Sequence, residues 1–122
     1  MILVDTSVWV DHLRAGNKML GALLETGMVL AHPFVIGELA LGHLRQREAV
    51  LGALADLPRA NVATDGEALD FIDRHAIFGR GIGYVDVHLL AAVRLTAGTE
   101  FWTNDTRLHG IAVQLGLAMT FP

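Results

Sequence analysis

The opening stretch MILVDTSVWVDHLR (1–14) contains a short apolar run, ILV (2–4), an acid at Asp5, and then a helical pattern near 7–14. An apolar run followed at once by a helix is the signature of a strand feeding a crossover in a parallel α/β sheet. The alternation continues to the end of the chain. Further strands are expected at MVLA (28–31), NVA (61–63), EFWT (100–103) and LAMT (117–120). Helices are expected near 17–26, 34–56 with a break around Arg45–Glu48, 65–77, 83–97 and 106–115. Thr64-Asp65-Gly66-Glu67 has capping-box spacing, and Asp70 and Asp73 fall on that helix away from Leu69, Ile72 and Ala76.

Composition sets the outer limits. The 122 residues suit one domain, expected to span 1–122, and their hydrophobic fraction of 52% is ample for one core. For so small a chain that fraction also implies apolar surface set against a second copy or a partner. The charge-free runs 26–37 and 110–122 are shorter than the roughly 18–20 residues of a bilayer helix. MILVD carries no basic leader, so no secretion signal is expected. The absence of cysteine excludes disulfides, thiolate zinc sites and cysteine nucleophiles. A cytoplasmic protein is the simplest expectation.

The net charge of −4 is unusual for a protein that handles nucleic acid. Four acids stand out from the rest: Asp5, Glu38, Asp86 and Asp105. Without them nine acids face nine Lys and Arg, so the excess charge belongs to the group itself. Asp5 and Asp105 follow strands directly and so belong at the carboxyl edge of the sheet, where open α/β folds bind ligands. Each also precedes a helix, and capping explains either one alone. Glu38 has Phe34, Val35, Leu41 and Gly42 as helical neighbours, and Asp86 has Ile82, Gly83, Leu89 and Leu90. A carboxylate on an apolar stripe is costly unless paired or metal-bound. Arg45 and Arg107 are the available pairing partners. Two such acids plus two at strand ends favour a shared cation.

An all-carboxylate donor set suits Mg²⁺ or Mn²⁺ rather than Zn²⁺. Such a site points to phosphodiester hydrolysis, since a bound cation acidifies water and neutralises charge at phosphate. The six histidines show no metal-binding spacing. His109, one turn beyond Asp105, reads as a surface residue, while Tyr84 and His88, opposite Asp86, read as packing or interface. The GRGIG stretch (79–83) has no strand before it, so its glycines are read as a tight lead into the Asp86 helix rather than a nucleotide loop.

Four stretches together resemble the PIN-domain toxins of VapBC toxin–antitoxin pairs. MILVDTSVWVDHLR is similar to the first motif, with Asp5 its acid. VIGELALG (35–42) is similar to the second, with Glu38. GRGIGYVDVHLLAA (79–92) is similar to the third, with Asp86, and FWTNDTRL (101–108) to the fourth, with Asp105. The resemblance implies a central parallel five-stranded sheet of order 3-2-1-4-5 flanked by helices, with Asp5 and Asp105 on neighbouring strands. It implies a metal-dependent endoribonuclease acting on structured RNA through an acidic quartet, a homodimer, and a VapB-like antitoxin whose tail fills the site. Thr6, Ser7, Thr103 and Asn104 are then accessory candidates.

Arg80, Arg45 and Arg14 are candidate RNA contacts. Trp9 and Trp102 read as core aromatics, although Trp9 also offers a surface for base stacking. The apolar run from Phe34 to Leu57 carries dimer or antitoxin surface as well as core. Three other readings compete. A haloacid-dehalogenase-like phosphatase needs a second Asp at position 7, which is Ser, and a response-regulator receiver needs a late lysine, whereas the only lysine is Lys18. A PIN-fold binding module without catalysis is the non-enzymatic alternative.

Overall fold

The computed structural model describes residues 1–120; Phe121 and Pro122, the end of the apolar run 110–122, lie outside the described residues. Three parallel strands form the centre: β1 (Ile2–Val4), β2 (Val29–Leu30) and β3 (Glu100–Trp102), in the order β2-β1-β3. Ile2 is in register with Val29 and Glu100, and Val4 with Trp102. β1 is buried along its whole length, as expected for a central parallel strand covered on both faces.

The expected five-stranded sheet is thus narrower in the structure. The segments 61–63 and 117–120 do not form strands. Single parallel bridges take their place, Ala31↔Arg59 beside β2 and Phe101↔Ala118 beside β3. The outer positions of the order 3-2-1-4-5 are therefore held at one point each. Ala31 N–H donates to Pro58 O and Ala60 N–H to Ala31 O, while Phe101 N–H donates to Leu117 O and Met119 N–H to Phe101 O. The local cause on one side is Pro58, which has no amide hydrogen to extend the ladder.

Among the described residues, seven helices surround the sheet. They are α1 (Thr6–Ala15), α2 (Lys18–Glu25), α3 (Pro33–Leu41), α4 (Arg47–Ala55), α5 (Asp65–Arg74), α6 (Tyr84–Leu95) and α7 (Thr106–Gln114). Pro33 opens α3 at its first turn, where a missing amide costs nothing, and the His32 ring caps it. The break between α3 and α4 covers residues 42–46, slightly before the expected position. Arg47 bridges it by donating to Ala40 O at 3.0 Å. Thr64 and Glu67 form the expected reciprocal capping box at the start of α5. Asp70 and Asp73 are exposed as expected, but so is Leu69, and the buried positions of α5 are Ala68 and Phe71.

The most buried helix is α6, in which all residues from Val87 to Val93 are buried. It lies against β3 and α5, so no solvated face remains in its middle. Leu89, Leu90, Leu3, Phe101, Leu108 and Ile111 form the centre of the core. Each such side chain contributes about 1.5–3 kcal/mol on burial. Trp9 and Trp102 both belong to this core, which removes Trp9 as a stacking platform for bases.

Candidate functional site

The carboxyl ends of β1 and β3 lie side by side, joined by Asp5 N–H donating to Trp102 O at 2.9 Å. This pairing places Asp5 next to Thr103, and both are buried. Thr103 Oγ1 donates to Asp5 Oδ2 at 2.7 Å, and Ser7 Oγ donates to the same oxygen at 2.8 Å. Thr103 Oγ1 also accepts the amide of Asp105 at 3.0 Å. One threonine hydroxyl therefore ties the two strand-end acids to each other. Ser7 Oγ in turn accepts the amide of Asn104 at 3.0 Å.

The remaining acids arrive on helices. Glu38 Oε1 accepts from Thr6 Oγ1 at 2.6 Å, linking α3 to the start of α1. Asp86 Oδ2 accepts the Gly83 amide at 3.1 Å, which folds the carboxylate back over the start of its own helix. The Asp86 carboxyl titrates above the usual carboxylate value. Burial is the main cause, opposed by the Gly83 amide and reinforced by the charges of Asp5, Asp105 and Glu38. Asp5, Asp105 and Glu38 thus all lie near enough to Asp86 for their charges to act on it.

Two features of these acids differ from the local reading. Capping alone was one explanation for Asp5, yet its side chain makes no cap bond; its carboxylate is held by the two hydroxyls instead. Asp86, the acid hardest to explain from sequence, is the one that satisfies a helix-start amide. Asp105 does cap, accepting from Leu108 N–H at 2.8 Å. Glu38 lies on a largely solvent-facing stripe, because Phe34 and Leu41 beside it are exposed and the buried positions of α3 are Val35 and Leu39. The pairing of the acids with Arg45 or Arg107 does not occur. The ion pairs among the described residues are Arg14–Asp11 and Arg74–Asp70, with His88 Nε2 3.8 Å from Asp65 Oδ1, and none of these involves the four.

The donor set is hard oxygen throughout, which fits a hard divalent cation by its chemistry. As placed, no three His, Asp or Glu side chains among the described residues are close enough to enclose an ion. Each carboxylate rests on a nearby hydroxyl or amide.

Around the cluster, Asn104 Nδ2 donates to Asp11 Oδ2 at 2.9 Å, and Arg14 pairs with the same Asp11 at 3.2 Å. Asp11 was not evident from sequence, where it is one more acid on a helix. Arg80 donates to Gln114 Oε1 at 3.0 Å, and Arg45 is exposed in the α3–α4 break. His109 is exposed, as expected.

A second polar group was only partly legible. His32 and His88 are fully buried, with Phe34 and Tyr84 in edge contact: ring centroids are 5.1 Å apart for His32–Phe34, 4.9 Å for Phe34–His88 and 4.6 Å for Tyr84–His88. His32 Nδ1 accepts the Phe34 amide at 3.0 Å. Its pKa is pushed down to about 4, first by burial and then by His88 and Arg59. His88 thus packs in the core, one of the two roles read from sequence, while Tyr84 lies edge-on to it and stays partly exposed.

The PIN domain family matches residues 2–114. The chain is 46% identical over 119 residues to proteins named Ribonuclease VapC32 from two strains of Mycobacterium tuberculosis, covering 98% of this chain and 96% of each relative. This chain belongs to the PIN-domain family, in its VapC branch. No solved structure matches it at a significant level. VapC-type PIN nucleases are metal-dependent as a class, in keeping with the oxygen-only donor set found here.

Proposed function

We propose that residues 1–122 act as one PIN domain, the toxin of a VapBC-type pair. In this reading it is a cytoplasmic homodimer that cuts RNA and is silenced by a VapB-like antitoxin bound over the site. The observation that carries the reading is the cluster itself: Asp5, Glu38, Asp86 and Asp105 share one field, and none is paired with a cation side chain among the described residues. Uncompensated like charge gathered at a sheet edge is costly for folding alone, so it is retained for what it binds.

In this proposal the four acids hold Mg²⁺, with Mn²⁺ as a substitute. When bound, such a cation supplies an acidified water and neutralises charge developing on the phosphate. Thr103 and Ser7 fix the Asp5 carboxylate through Oδ2, and Thr103 sets the spacing to Asp105 through that residue's amide. Thr6 holds Glu38 toward the cluster. Asn104 fixes the turn after β3 against α1. Arg14, Arg45 and Arg80 are candidate contacts to RNA phosphates at the exposed rim.

Two other readings fit less well. A binding module without catalysis gives no reason to place four acids together, and a haloacid-dehalogenase-like phosphatase lacks its second Asp because Ser7 stands there. The test is cleavage of RNA by purified, antitoxin-free protein. Cutting should require Mg²⁺ and cease with EDTA, and absence of any metal-dependent cutting would refute the proposal.

A further inference from the structure

Arg107 lies two residues beyond Asp105, in the first turn of α7, and reaches across to the loop that leads into α6. Its Nη1 donates to Gly81 O at 3.3 Å. The side chain lies directly against that glycine: a Cβ at position 81 would collide with Nη1 and stand 2.9 Å from Cδ. Gly81 also has φ of +82°, a conformation that penalises any residue bearing a Cβ. Position 81 is therefore a cradle that only glycine leaves open for the guanidinium.

Arg107, Gly81, Asp105 and Thr106 line an open depression of about 490 Å³ beside the carboxylate cluster. Arg107 forms no ion pair among the described residues, despite the acids nearby. By contrast Arg14, also near the cluster, is held by Asp11. A guanidinium has five N–H donors in a planar fork suited to phosphate oxygens, and one of these is given to Gly81 O. RNA approaching four carboxylates meets like charge, so a fixed cation at their edge has a specific use there.

We propose that Arg107, seated on Gly81, binds an RNA phosphate adjacent to the one being cut and so sets how the strand lies across the carboxylates. This rests on the ribonuclease reading above. The rival role is purely structural: a staple between the 79–83 loop and α7. That role would show in melting temperature and metal affinity instead of in RNA binding.

The experiment measures binding of fluorescently labelled bulk tRNA to Asp5→Asn protein as a function of salt, with and without Arg107→Ala or Arg107→Lys. Arg107→Ala should weaken binding about 10-fold and reduce the log–log salt slope by about 0.7–0.9, the value for one lost phosphate contact. Arg107→Lys should restore the slope while leaving affinity below the parent, and Mn²⁺ affinity and melting temperature of Arg107→Ala in the Asp5-intact chain should not change. An unchanged slope and affinity in Arg107→Ala overturns the assignment while leaving the ribonuclease reading intact. Loss of Mn²⁺ affinity or melting stability in parallel with RNA affinity also overturns it, in favour of the staple. Absence of salt-dependent tRNA binding by the Asp5→Asn parent defeats the ribonuclease reading and the assignment together.

Discussion

Two polar clusters lie close to the core of this small protein, and they deal with their charge in opposite ways. The acid cluster sits at the carboxyl ends of β1 and β3, where Asp5 is buried and Asp105 and Glu38 are exposed. It is wired by hydroxyls and amides, and among the described residues no cation side chain forms an ion pair with it. The histidine cluster sits between the start of α3 and α6, and burial there favours the neutral form of His32. His32 Nε2 and both His88 nitrogens have no hydrogen-bond partner among the described residues. The first cluster gathers carboxylates that rest on hydroxyls and amides, whereas in the second burial favours neutral His32 and the rings pack as aromatic core. Unbalanced charge marks the site; neutralised polarity marks the scaffold.

That contrast makes the clusters separable by mutation. The largest effect belongs to Asp5→Asn, which should lower RNA cleavage by on the order of 10²–10³-fold or more while the protein still folds. Circular dichroism beside a cleavage assay checks both halves, and near-normal cutting would remove Asp5 from the site. Thr103→Val should come next. Loss of the hydroxyl between Asp5 and Asp105 should cost about 10–100-fold in metal affinity or activity. It should also cost about 1–3 kcal/mol in stability, because the Asp105 amide loses its acceptor.

The histidine cluster should respond in stability alone. His32 titrates at about 4 in the fold, against an ordinary value of 6.5. The unfolded chain therefore binds the proton first on acidification. Stability from this group is full above pH 6.5, declines as pH falls toward 4, and changes no further below that. The maximum loss is roughly 3 kcal/mol. His32→Asn keeps a side-chain cap for Phe34 and removes the titration, so its melting temperature should fall less between pH 7 and pH 5 than that of the parent. Equal falls would exclude His32 as the source. Least affected of all should be His88→Leu. Removing two nitrogens that make no hydrogen bond among the described residues, one of them 3.8 Å from Asp65, should change stability by less than about 1 kcal/mol and leave cleavage unaltered.

Much of this arrangement was legible in the sequence. Alternation of apolar runs and helical patterns placed every helix to within a few residues, and strand-end position marked Asp5 and Asp105. The outer strands were not legible, because runs such as NVA carry the composition of a strand while Pro58 and single-bridge pairing limit what forms. Sequence periodicity also misjudged the stripe of Glu38. Apolar neighbours suggested burial, but Phe34 and Leu41 are exposed, since a short helix at the surface can present apolar residues to solvent. The tie from Thr103 to both strand-end acids, and the seat of Arg107 on Gly81, depend on contacts between segments far apart in the chain. No local pattern encodes them.

The central claim is that four carboxylates form one cation site. Calorimetric titration of Mn²⁺ into antitoxin-free protein and into Asp5→Asn, Glu38→Gln, Asp86→Asn and Asp105→Asn tests it most directly. The account predicts binding by the parent and weakening of about 10-fold or more in each of the four variants. Parent-like affinity in the Glu38 and Asp86 variants would contradict it, reducing the site to its strand-end pair.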